Sequence, residues 1–214
     1  MNSPRKLSHP LALAVLVLLF EKSMHPYEMA ATLKQRGKEQ SIKLRYGSLY
    51  TVIGQLQREA LIEPASTERA GARPERTTYR LTEAGQAEMS SWLRSLVSEP
   101  VKEYPRFEAA LSLLPALPPK EAQMLLTQRL GRLDDRERKL LSELTDAETM
   151  SLPPLFLIET EYALALLRAE RTYVKTLVHG IETAQLGGIR QWRQWHADRA
   201  AGLGTAADPP SRPA

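Results

Sequence analysis

Residues 45–62 read RYGSLYTVIGQLQREALI, and the reading of this stretch decides the fold. Leu49, Val52, Ile53 and Leu56 fall on one face of a helix, and Ser48 stands where it can cap that helix. Tyr50, Thr51, Gln55 and Arg58 include the residues left to face outward. A short helix with one apolar face and a polar, hydrogen-bonding opposite face suits insertion into a groove of another molecule.

The flanking sequence supplies the support such a helix needs. The run LALAVLVLLF at 11–20 predicts a first, buried helix from Pro10 to about Lys22, stopped by Ser23-Met24-His25-Pro26 because proline disfavours helical geometry in the residue before it. Pro26 then suits the first turn of a second helix that runs to about Arg36, with Gly37 as a left-handed terminator. After the third helix, 61–65 and 77–81 read as short strands. Between them the segment from Ser66 to Arg76 carries Gly71, Pro74 and the arginines Arg69, Arg73 and Arg76, which predicts a hairpin with a basic, flexible tip. Thr82 caps a further helix through Met89, Trp92, Leu93 and Leu96. Three helices and then a hairpin is the order of a winged helix-turn-helix, whose third helix enters the major groove while the wing reaches flanking backbone.

Charge placement agrees with that order. Residues 1–100 hold 14 lysines and arginines against 10 acidic residues, whereas residues 101–214 hold 15 of each. The excess concentrates at Lys34, Arg36, Lys38, Lys43 and Arg45, opposed over that interval by Glu39 alone. A clustered basic patch suits phosphate attraction.

Three motifs in order, MHPYEMAATL at 24–33, the stretch at 45–62, and RTTYRLTEAGQAEM at 76–89, strongly resemble the PadR family of transcriptional regulators. YPRFEAALSLLPALPPKEAQMLL at 104–126 and LLRAERTYVKTL at 166–177 resemble the helical domain of its longer members. The resemblance implies a homodimer on a palindromic operator of double-stranded DNA, usually repressing, with the C-terminal helices making the dimer. Many members release DNA when a small aromatic or amphipathic effector binds. Tyr27 falls on the family's Tyr-Glu pair, Tyr46, Gly47, Ser48, Leu49 and Tyr50 on the opening of its recognition helix, and Arg73 and Arg76 on its basic wing. The sequence departs from the family at Thr51, where proline is usual, at Gln55, where a basic residue is common, and at Ala60, where glycine usually closes the helix.

The residues themselves assign roles. Tyr27, Lys43, Arg45, Tyr46, Ser48, Arg69, Arg73 and Arg76 carry charge or donors suited to phosphate and would position the protein. Thr51 and Gln55, one helical turn apart, are candidates for base readout, since glutamine can pair with adenine and threonine can meet a thymine methyl. Tyr50 is read either as a DNA contact or as packing against the first helix.

The second half is helical in pattern, with a short element at 106–114, a long one from Pro119 to about Thr145, another from Pro154 to about Ala184, and a piece at 189–200. Leu126, Leu130, Leu133, Leu140 and Leu144 form a coiled-coil-like stripe broken once, at Glu137, and Tyr162, Leu166 and Tyr173 recur at helical intervals. These are the candidate dimerisation residues, although such stripes also serve as the core of one chain. The expected organisation is a mainly α fold with a small antiparallel β-hairpin: a winged helix-turn-helix over 1–100, a helical dimerisation and effector domain over 101–200, and a disordered tail from 201.

Other function classes find less support. The chain has no cysteine, and its four histidines are far apart, so no metal is assigned. No glycine-rich phosphate loop and no nucleophile elbow occurs, so no catalytic residue and no cofactor is assigned and the protein is read as a non-enzyme. A winged-helix module for protein association is the alternative. Trp92, Trp192 and Trp195 are read as packing rather than as an effector pocket. MNSPRK before the apolar run has the order of a secretory signal, yet ten apolar residues are too few to span a bilayer and no Ala-x-Ala pattern follows them. A cytoplasmic protein without membrane association is expected.

Overall fold

In a computed structural model of the chain, residues 9–39, 41–42, 46–68 and 76–202 are described. The chain divides into two compact units, Met1–Lys102 and Glu103–Ala214.

Unit 1 consists of α1 (Pro10–Glu21), α2 (Pro26–Gln35), α3 (Tyr46–Arg58), β1 (Ile62–Glu68), β2 (Arg76–Leu81) and α4 (Glu83–Ser98). It is a winged helix. The sequence of α1 is apolar on every side, which is the signature of a helix surrounded by protein. It packs against α3, α4 and β2, and eight of its residues, among them Leu11, Val15, Leu16 and Leu18, are buried. Leu49, Val52, Ile53 and Leu56 of α3 join the same core, as do Met29, Ala30 and Leu33 of α2 and Met89 and Trp92 of α4.

Histidines cap the first two helices. The Nδ1 of His9 accepts the Leu11 amide at 3.1 Å, and that of His25 accepts the Tyr27 amide at 3.1 Å while Glu28 accepts the His25 amide. At the other end of α2, Gly37 takes φ +67°. Ala60 closes α3 in the same left-handed region, at φ +54°, with the Ala60 amide donating to Gln57 and the Leu61 amide to Leu56. That is the paired bonding of a helix C-terminus that glycine adopts without strain. Ala60→Gly is therefore expected to stabilise unit 1 by about 1 kcal/mol, read as a higher urea midpoint at unchanged m-value.

The wing is an antiparallel pair, Ile62 opposite Leu81 and Glu68 opposite Arg76, with an irregularity between Pro64 and Ser66. Both strands are longer than the sequence pattern predicts. On the other side of β2, Met24 exchanges both backbone hydrogen bonds with Tyr79, at 3.1 and 3.0 Å. The amide and carbonyl of Tyr79 thus both point at Met24, so Pro64, opposite Tyr79 on β1, has no hydrogen bond to donate. The segment between α1 and α2 is in this way a third, one-residue strand of the wing sheet.

Unit 2 consists of α5 (Arg106–Ser112), a 3-10 turn (Leu114–Ala116), α6 (Pro119–Thr149), a second 3-10 turn (Pro154–Phe156), α7 (Ile158–Glu182) and α8 (Ile189–Ala200). α6 and α7 pack antiparallel, with Arg129 bridging to Glu170 and Arg168 to Glu137. Leu133, Leu140, Leu164 and Leu167 form one cluster, with Leu144 against it. Ala122, Leu126, Val174, Ile181, Ile189 and Trp192 form another, with Leu130 against it. All five stripe leucines of α6 thus pack within the chain, Leu130 and Leu144 in part. Glu137, the break in the stripe, faces the same seam: its side chain is 17% exposed and accepts Arg168 Nε at 2.7 Å. A carboxylate there is satisfied by the neighbouring helix, so the stripe continues past it. Arg171 pairs with Asp134 beside it, and this partner raises the Arg171 pKa above its ordinary value.

Among the described residues no helix is long and apolar enough to cross a membrane, and no group of three His, Cys, Asp or Glu side chains could hold a metal ion.

Candidate nucleic-acid interface

With one side of α3 committed to the core, the opposite side presents Gly47, Thr51 and Gly54, flanked by Tyr50 on one edge and by Ser48 and Gln55 on the other. Ser48 is not the cap, because α3 begins two residues earlier, at Tyr46. Its amide lies in the first turn, where N–H groups have no intrahelical partner and can meet an anion. The Thr51 hydroxyl donates to the Gly47 carbonyl at 3.0 Å, which fixes the rotamer of an exposed side chain. Gln55 is half-buried.

Tyr50 is 56% exposed, so of its two readings packing against α1 is not the one the fold adopts. Tyr50→Ala should change stability by less than about 0.5 kcal/mol. A larger loss in thermal unfolding would mean that the ring is a packing residue after all.

Ser48, Thr51 and Gln55 line one cleft together with His9. Sequence reasoning missed His9 because it lies some forty positions away and serves as a helix cap, and no motif marks it. Its Nδ1 is occupied as an acceptor from Leu11, so in the neutral ring Nε2 carries the proton and is the free donor.

Tyr27 stands on α2 with 66% of its surface exposed. Lys43, Arg45, Arg69 and Arg73 lie outside the described residues. Tyr46 opens α3 and Arg76 opens β2. The basic patch is smaller than its sequence, since Arg36 donates to both oxygens of Glu21, at 2.6 and 2.7 Å. This pairing holds the Glu21 carboxyl below the usual carboxylate range and the Arg36 guanidinium above its own. Arg36 therefore ties α2 to the end of α1. Arg80 is likewise spent on Glu63 across the hairpin, at 2.7 Å. Of the tryptophans, Trp92 and Trp192 are buried in the two cores. Trp195 meets His196 edge to face at 4.6 Å between ring centroids, and its Nε1 is buried without a partner among the described residues.

Residues 15–91, which run from the middle of α1 to the middle of α4, match the model of the Transcriptional regulator PadR-like family. The chain carries a PadR-like domain. Solved structures agree on the fold. Bacillus subtilis PadR in complex with operator DNA is 20% identical, with a TM-score of 0.64 over 81% of this chain and 99% of that one. The same protein in complex with p-coumaric acid is 19% identical, with a TM-score of 0.63 over 80% and 98%. The Vibrio cholerae virulence activator AphA is 11% identical, with a TM-score of 0.60 over 81% and 99%. No curated protein sequence matches the chain. The PadR-like domain includes α3 and the wing but not His9, which precedes the matched residues.

Proposed function

We propose that this PadR-like protein is a cytoplasmic, sequence-specific DNA-binding repressor that acts as a homodimer on a palindromic operator and is released by a small aromatic or amphipathic effector. The observation that carries the reading is the outward side of α3, where Thr51, Gln55 and Ser48 share a cleft on a helix whose other side is locked into the core. Thr51 and Gln55 read bases. Ser48, Tyr27, Tyr46, Tyr50, Lys43, Arg45 and the wing arginines Arg69, Arg73 and Arg76 hold phosphates. The operator complex and the p-coumaric acid complex of Bacillus subtilis PadR support the DNA and effector parts by analogy.

The dimer reading rests on α7. Ile158, Tyr162, Leu166 and Tyr173 recur along it and are between 54% and 66% exposed, an apolar face that a twofold partner would cover. The leucines of α6 then serve the dimer indirectly, by holding α7 in place.

Binding of the full chain to its own promoter DNA, titrated with salt, tests the proposal: affinity should fall steeply as salt rises, because neutralised phosphates release counterions. Salt-independent binding, or none, would overturn it in favour of a protein-association module. His9→Asp offers a finer check. Aspartate keeps the helix cap but sets a negative charge in the cleft, so operator affinity should drop about tenfold with an unchanged melting temperature.

A further inference from the structure

A groove of about 670 Å³ runs between α5, the turn after it, and α6. Its walls are apolar, with Phe107 and Ala110 on α5, Leu113 and Leu114 beyond it, and Leu125 on α6. Leu113 is 70% and Leu125 41% exposed, an unusual state for apolar side chains that line a concavity. The α6 side also carries Arg129, Arg132 and Arg136, spaced i, i+3, i+7 and so on one helix face.

These arginines differ in what they already hold. Arg129 bridges to Glu170 at 2.5 Å and lies 3.5 Å from the centroid of the Phe107 ring. Arg168 and Arg171, on α7, are paired with carboxylates of α6. Arg132 and Arg136 have no carboxylate partner among the described residues and stand exposed at the mouth of the groove. Two unneutralised guanidinium groups beside an apolar trough are complementary to a molecule that is apolar along its body and anionic at one end.

We propose that this groove binds an amphipathic carboxylate, its body against Phe107, Leu113, Leu114 and Leu125 and its carboxylate between Arg132 and Arg136. The inference deepens the effector part of the function proposed above and rests on that reading only for the ligand's role, because binding itself requires no DNA. The groove also touches a built-in reporter. Leu114 and Leu117 line it, and the carbonyls of Pro115 and Leu117 receive Trp192 Nε1 at 3.1 and 2.9 Å. A ligand that shifts this turn changes the surroundings of the indole.

The test is calorimetric titration of the full chain with decanoate, 1-decanol and acetate, with tryptophan emission followed in parallel. Decanoate should bind at a single site and shift the emission, decanol should bind about tenfold more weakly, and acetate should not bind. The Arg132→Gln, Arg136→Gln double variant should weaken decanoate by about tenfold and leave decanol unchanged. Ala110→Trp, a substitution at an exposed position that fills the groove, should abolish both. Equal binding of decanoate and decanol, indifference to the glutamine variants, or indifference to Ala110→Trp would overturn the proposal. So would a change of association state in sedimentation of Ala110→Trp, which would make the groove a seat for a second copy of the chain. Operator binding by the unsubstituted chain separates the two readings: its absence while decanoate still binds strikes the DNA-binding function and leaves this site standing, and its presence while decanoate does not bind strikes only this site.

Discussion

Gly85→Ala should destabilise unit 1 by about 3 kcal/mol or more, the largest effect expected of a glycine-to-alanine change among the described residues. A Cβ on Gly85 would stand 2.0 Å from the Leu61 carbonyl oxygen and 2.8 Å from Cδ1 of Leu81. The first of these is backbone and cannot rotate away. That carbonyl is also fixed by its hydrogen bond from the Thr82 amide at 3.1 Å, and the Thr82 hydroxyl donates to the Ala60 carbonyl at 2.8 Å while accepting the Gly85 amide at 3.0 Å. The start of α4 is thus clamped onto the turn that ends α3, and a methyl group must break the clamp or push α4 off the core. Gly131→Ala is the control: it lies inside α6 with nothing within 4 Å of the added carbon, so it should be neutral or stabilise by roughly 0.5–1 kcal/mol. Thermal unfolding of the two variants checks both. If Gly85→Ala melts within two or three degrees of the parent, the clamp is not rigid and the account of α4 docking is wrong.

The same clamp shows what the sequence could and could not tell. The periodicity of Leu49, Val52, Ile53 and Leu56 reports α3 because a helix that buries one face must repeat at that interval. Thr82 is legible as a cap because its hydroxyl acts on an amide three residues away. Local chemistry of this kind is written locally. The pairing of Met24 with Tyr79 joins residues 55 positions apart through backbone atoms alone, so no side-chain pattern announces it, and Ser23 to Pro26 reads only as a helix stop. His9 entered the α3 cleft unannounced for the same reason. The leucines of α6 illustrate a different limit. Their spacing specifies that a helix packs on them but not whether that helix belongs to the same chain, and α7 turns out to fill the seam, with Glu137 answered by Arg168. The row on α7 that carries the dimer reading is legible in the sequence as Tyr162, Leu166 and Tyr173 at helical spacing, but the spacing does not say that these side chains stay exposed.

The second large effect concerns the wing. Replacing Arg73 and Arg76 together by alanine should weaken operator binding on the order of 10,000-fold at low salt, since a homodimer loses four charge-assisted bonds to phosphate and each contributes roughly 1.5 kcal/mol. The alternative fates of wing charge bear on this. Arg80, four residues after Arg76 on β2, is already held by Glu63, at 2.8 Å from its Nε, and Arg36 is held by Glu21. Two of the basic residues that the sequence offers near this face therefore have structural work, which leaves more of the attraction for phosphate to the wing. Phosphate contacts carry no sequence information, so the double variant should lose affinity for operator and unrelated duplex alike, and the slope of log K against log salt should become shallower by about 3.6, or 0.9 for each of the four contacts a homodimer loses. Gln55→Ala should behave in the opposite way. It should weaken the operator by about 30-fold or more, leave unrelated DNA untouched, preserve the salt slope, and relax preference at one base position in each half-site. Titration of both variants against both duplexes at several salt concentrations distinguishes anchor from reader. If the arginine variant leaves the slope unchanged, the wing does not touch phosphate and α3 must be held on DNA by other cations. If neither variant affects binding, the winged helix is turned toward a protein partner.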